Sequence, residues 1–149
     1  MSSTATNSLL LLGRILLSGM FIMSGFQKLV DPASTAGMIT GAGLPAATGL
    51  AYLAGLFELI AGLAVLTGFQ TRIAAILLAL FAAFTAFVFH SGAISIPGFP
   101  DAANNLLTVF NQLNFMKNLT IAGGFLALAA VGAGAYSIDA RRGSVAINT

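Results

Sequence analysis

"ATGLAYLAGLFELIAGLAVL", residues 47–66, is built from Gly, Ala and large apolar residues, with one Thr, one Tyr and a single charge, Glu58. A hydrocarbon core about 30 Å thick needs about 20 apolar residues per helix, so this stretch reads as a transmembrane span with an acid near its middle. Three further runs of that kind follow from the same criterion: 8–29, 72–90 and 117–136. The four runs and their short connections use nearly the whole chain of 149 residues. They predict an all-α, integral membrane four-helix bundle in one domain spanning 1–149. The composition agrees, with 58% hydrophobic and 7% charged residues and a mean hydropathy of +0.97. The first run lacks a basic leader and a small-x-small cleavage site, and reads as a retained helix.

Composition also removes whole classes of chemistry. Without cysteine, the chain cannot supply a thiol relay, a disulfide exchanger, an iron–sulfur cluster or a Cys-ligated zinc site. The single histidine, His90, excludes bis-histidine haem held by this chain alone, and no metal or covalently bound cofactor is expected. A net charge of +2, dispersed along the chain, gives no footprint for nucleic acid. One histidine and four carboxylates scattered over opposite membrane faces form no catalytic constellation, so stand-alone catalysis is not expected.

With four spans both termini share one side. That side would carry Arg14, Arg72, Arg141 and Arg142, against Lys28 and Lys117 offset by Asp31 and Asp101 on the other. The bias predicts cytoplasmic termini and a bacterial inner-membrane location. The first outer connection, "DPASTAGMITGAGLPAA" (31–47), is punctuated by Pro32, Gly41, Gly43 and Pro45 and leaves room for one short helix. The second outer connection opens on Pro and Gly and then shows Leu106, Val109, Phe110 and Leu113 at helical spacing. It predicts an amphipathic helix on the membrane surface.

At 100° per residue, Ser18, Gly25 and Lys28 lie within about 40° of Arg14 on the first span. Ala51, Gly55, Glu58 and Gly62 form a matching stripe on the second. Ala75, Ala79, Ala82, Ala86 and His90 do so on the third, and Gly123, Ala127, Ala130 and Gly134 on the fourth. Small residues at this spacing let membrane helices approach closely, so Gly25, Gly55, Gly62, Gly123 and Gly124 are packing candidates. Depth then suggests a partner for the acid. Glu58 falls roughly 12 Å and Arg14 roughly 9 Å from the cytoplasmic ends of their spans. An unpaired charge at mid-depth costs on the order of 3 kcal/mol, so a buried Arg14–Glu58 pair is expected. Its role stays open between a structural pair, a proton or quinone path, and a protonated Glu58 bound to backbone or water. At the opposite interface, Lys28, His90, Lys117 and Asn118 could converge on a lipid head group, a quinone carbonyl or an anion.

The stretches "LGRILLSGMFIMSGFQKLVDP" (12–32), "GLP" (43–45), "LAGLFELIAGLAVLTGFQTR" (53–72) and "NFMKNLTIAGGFLALA" (114–129) resemble the DoxX family of small four-helix membrane proteins. The resemblance is carried most specifically by Ser-Gly-x-x-Lys, Glu-x-x-x-Gly and Phe-x-Lys-Asn-Leu. It implies association with membrane redox systems, including quinone-linked ones. The leading expectation is therefore an accessory or anchoring subunit of a membrane oxidoreductase complex, surrounded by lipid and partner subunits, with a quinone or lipid site. Two other classes stand beside it: a transporter or channel using the Arg14–Glu58 pair, and a purely structural subunit.

Overall fold

The computed structural model describes residues 3–143; the two chain ends, whose side the charge bias assigns, lie outside them. Its helices are α1 (Ser3–Val30), α2 (Ala33–Gly41), α3 (Ala47–Thr67), α4 (Thr71–Phe89), α5 (Asp101–Val131) and α6 (Ile138–Arg141). Of these, α1, α3, α4 and α5 are long and apolar enough to cross a membrane. Their outward faces carry large apolar side chains such as Leu16, Met23, Leu53 and Leu80, the surface that lipid would cover.

The four long helices form two intimate pairs, α1 on α3 and α4 on α5, and the pairs meet through α3–α4 and α1–α5 contacts. In the first pair, backbone touches backbone. A Cβ on Gly25 would stand 2.7 Å from Gly55 O and 2.7 Å from Leu59 N, and one on Gly62 would stand 2.9 Å from Ile22 Cγ1. The second pair buries an alanine face of α4, including Ala75, Ala79 and Ala82, against Phe125, Leu128 and Ala129 of α5. Between the pairs, Phe21 of α1 meets Phe125 of α5 edge-on, with ring centroids 5.4 Å apart.

Two of the spans differ in their bounds from the sequence expectation. The last span does not run 117–136; it begins at Asp101 and ends at Val131. No Gly or Pro interrupts residues 101–122, so the segment expected on the membrane surface continues unbroken into the span. Its polar face holds the preceding loop: Ile96 N donates to Asn104 Oδ1 at 2.9 Å and Ile94 N to Thr108 Oγ1 at 3.0 Å. At the other end Gly132 (φ 87°) and Gly134 (φ 74°) stop the helix early. The first span also starts sooner, at Ser3 rather than residue 8, which shifts every depth counted from its end. The first outer connection holds the one short helix, α2, for which its punctuation left room.

The turn between α3 and α4 closes on Gly68 (φ 71°), with Phe69 N donating to Ala64 O at 2.8 Å. Gly123 has open space where a Cβ would stand, and Gly124 meets only the Leu17 side chain, at 3.2 Å. Gly123 is therefore corrected from a packing position to an outward-facing one. Substitution separates the two kinds of glycine. Gly25→Ala is expected to lower stability in detergent by about 1–3 kcal/mol, because the clash is with backbone that cannot rotate away. Gly123→Ala is expected to be neutral or stabilising by up to about 1 kcal/mol. Unfolding in mixed micelles measures both.

Candidate functional site

The α1–α3 contact decides what each buried charge can reach. Because the helices are antiparallel with Gly25 on Gly55, Lys28 is brought to the level of Gly55, its Cβ 2.9 Å from where a Gly55 Cβ would be. A helical side chain leans toward its own N-terminus, so Lys28 turns back into the bundle. Its Nζ donates to Ser24 Oγ and to Glu58 Oε2 at 2.9 Å. The two side chains are 19% and 6% exposed.

The expected Arg14–Glu58 pair therefore does not form. Arg14 falls level with Val65 and Leu66, seven residues beyond Glu58 and roughly 10 Å along α3. There its guanidinium, 1% exposed, donates from Nε to Val65 O at 3.1 Å and from Nη2 to Leu66 O at 2.8 Å. Nη1 donates to Ala133 O at 2.7 Å and Tyr136 O at 2.9 Å. Val65 O and Leu66 O belong to the last turn of α3, where Val65 O also accepts from Gly68 N and a cation suits the helix dipole. A path through an Arg14–Glu58 pair loses its basis.

Around Arg14 the α3–α4 turn is locked by residues that sequence reading passed over. Asp139 accepts from Gln70 N at 2.8 Å and from Thr71 N at 2.9 Å, capping α4 from another part of the chain. Asp139 N in turn donates to Gly68 O at 2.8 Å. Burial works to raise the Asp139 carboxyl, but the Thr71 and Gln70 donors and the Arg14 charge outweigh it and hold it below its ordinary value of 3.8. The Thr71 hydroxyl is directed at the same carboxylate without a bond of full geometry. Ser137 Oγ caps α6 by accepting from Ala140 N at 3.1 Å. A "Ser-x-Asp" after a Gly-rich helix stop was the available signal.

Lys28, Glu58, His90, Lys117 and Asn118 all line one cavity of about 600 Å³ between the two helix pairs, with α2 contributing Thr35, Met38 and Ile39. Five phenylalanines, Phe21, Phe57, Phe81, Phe84 and Phe89, supply its apolar wall. On its polar side, His90 Nδ1 lies 2.8 Å from Asn111 Oδ1, and Asn118 Nδ2 donates to Thr85 Oγ1 at 3.1 Å. Lys117 reaches Asn114 Oδ1 at 2.8 Å from an exposed position. Ser24, the serine of the Ser-Gly-x-x-Lys pattern, belongs to this polar set, as do Thr85 and Asn111, which were not singled out from sequence. Among the described residues, no cluster of three or more His, Cys, Asp or Glu side chains is placed to hold a metal ion.

An antiparallel bundle of four apolar helices with an interhelical ion pair and an aromatic-walled cavity defines a small integral membrane protein rather than a soluble enzyme. The DoxX family model matches residues 9–91, and the chain belongs to that family. It is 43% identical over 129 residues to the inner membrane protein YqjF of Escherichia coli K12, covering 87% of this chain and 88% of that protein. It is 34% identical over 133 residues to the inner membrane protein YphA of the same organism, covering 89% of each. These relatives make it an integral inner-membrane protein. No solved structure matches the chain.

Two outcomes follow from this geometry. Lys28→Met and Glu58→Gln are each expected to destabilise by on the order of 3 kcal/mol, because each strands a buried partner. The double substitution should lose less than the sum by more than about 1 kcal/mol, whereas additive losses would mean that the two do not interact. For Asp139, a carboxyl lowered by folding contributes stability that is present above its unfolded value and is lost as pH falls through the folded one. Stability of the wild type should therefore drop on acidification below about pH 4 more steeply than that of Asp139→Asn. At neutral pH that variant should already be weaker by about 1 kcal/mol, the usual worth of a helix cap.

Proposed function

We propose that the protein binds a small molecule with a polar ring and an apolar body, of the quinone type, between its two helix pairs. In this reading it serves as a subunit of a membrane redox complex. The observation that carries the binding reading is the cavity itself. It has the size of a small-molecule site, its walls are aromatic, and Lys28, Glu58, His90 and Asn118 from three different helices and a helix end line it. A ring would stack among the phenylalanines while its oxygens meet the polar groups, and an apolar tail would leave toward lipid. The subunit reading is supported by the family resemblance and by the absence of a redox-active side-chain set in the sequence. Arg72, Arg141 and Arg142 on the α3–α4 side support an orientation with that side in the cytoplasm.

Calorimetric titration of purified protein with a decyl-substituted benzoquinone tests the binding. Saturable binding near one per chain is expected. Ala54→Phe, which adds a ring to the cavity wall, should weaken it at least about tenfold while leaving thermal unfolding in place. Undiminished binding by the filled variant would put the ligand elsewhere, and no binding by the wild type would overturn the reading. Purification from the native membrane in mild detergent tests the complex: co-purifying oxidoreductase subunits are expected, and a lone protein counts against it.

A further inference from the structure

The hydrogen-bond network around the cavity fixes which polar atoms remain free, and that inventory discriminates between ligands. Thr85 has one hydroxyl proton, which it gives to Ala82 O at 3.0 Å. Asn118 must then present its Nδ2 to Thr85 Oγ1, leaving Oδ1 uncommitted. Asn111 donates its Nδ2 to Gly92 O at 2.9 Å, so its Oδ1 faces His90 Nδ1. An amide oxygen has no proton to offer, so Nδ1 must donate, and the neutral ring keeps Nε2 as an acceptor. Glu58 uses Oε2 on Lys28, and no donor among the described residues reaches Oε1.

The three residues that keep these acceptors, Asn118, His90 and Glu58, all line the cavity. Among the described residues, Thr71 Oγ1 is the single fully buried side-chain N or O atom without a partner. Oε1 of Glu58, a residue only 4% exposed, is therefore in contact with the cavity it lines. Two of the three, Glu58 Oε1 and His90 Nε2, can only accept, while Asn118 keeps one further N–H. Donors are also left over: the third Nζ proton of Lys28 and the Ser24 hydroxyl on α1, the Thr35 hydroxyl on α2, and the Nζ protons of Lys117 beyond the one given to Asn114. A carbonyl-only ring would satisfy donors of this set but would bring no proton to the carboxylate or the imidazole, which its lone pairs would face.

Resting on the binding reading above, we infer that the cavity selects a ligand carrying hydroxyl donors on its ring, a phenol or hydroquinone, over the corresponding quinone. A ring hydroxyl both gives and takes a hydrogen bond. It can answer Glu58 and His90 on one side and Lys28 on the other, and a polar site left unanswered discriminates strongly.

Anaerobic titration of the purified full chain with three probes of one carbon skeleton tests this: a decyl-substituted hydroquinone, its dimethyl ether and the quinone. The hydroquinone is expected to bind at least about tenfold tighter than either, and His90→Phe is expected to narrow that preference. Equal or tighter binding of the quinone or the ether would overturn the inference while leaving a quinone-type site in place. A preference unchanged in His90→Phe and in Glu58→Gln would also overturn it. Binding of none of the three would remove both the inference and the reading beneath it.

Discussion

The approach of α1 to α3 at Gly25 and Gly55 is the constraint on which the rest of the molecule depends. With no Cβ on either residue, the backbones come close enough that a side chain on either would disturb this register. That register places Lys28 over Glu58 and Arg14 over the last carbonyls of α3. Two charges that would each be costly in hydrocarbon thereby find partners at different depths. One partner is a carboxylate and the other a set of carbonyls, so the molecule carries one buried ion pair and one buried cationic cap rather than a single central pair.

The cavity follows from the same arrangement. Intimate packing within each helix pair and looser contact between pairs leave space where the pairs diverge, and the Lys28–Glu58 pair sits in its wall. Well-packed apolar residues could replace a purely structural ion pair without loss of stability. Keeping a pair there, with one carboxylate oxygen turned to open space, creates a polar spot inside an aromatic pocket. The cap at the opposite end has another job: Arg14 and Asp139 tie the α3–α4 turn to the segment after α5, which holds the floor of the bundle while the other end stays open.

Much of this was legible in the sequence. Apolar runs revealed four helices, helical spacing found the stripes that carry Arg14, Lys28, Glu58 and His90, and position at the outer interface added Lys117 and Asn118. The partners were not legible. Depth counted from a span edge carries the error of that edge, and α1 begins at Ser3, so Arg14 and Glu58 seemed level when they are about two turns apart. Register comes from inter-helix contact, and the glycines that set it looked like any other small residues; Gly123 shows that some of them face outward. The extension of α5 was readable in hindsight: Asn104, Thr108, Asn111 and Asn118 recur at helical spacing on one face, a polar stripe that a helix lying on a membrane would turn to water and that this helix turns inward. Asp139 gave no periodic signal, because it acts as a cap across 68 residues of sequence.

Glu58 is the chain's one glutamate, and its lysines are Lys28 and Lys117, which makes a direct distance measurement possible without substitution. Protein labelled with ¹³Cδ-glutamate and ¹⁵Nζ-lysine, reconstituted in lipid bilayers, would report the separation by solid-state dipolar recoupling. The account predicts a strong coupling, with the lysine nitrogen within about 4 Å of the carboxylate, and none when ¹⁵Nη-arginine replaces the lysine label. Coupling to arginine and not to lysine would contradict the register from which the buried charges and the cavity both follow.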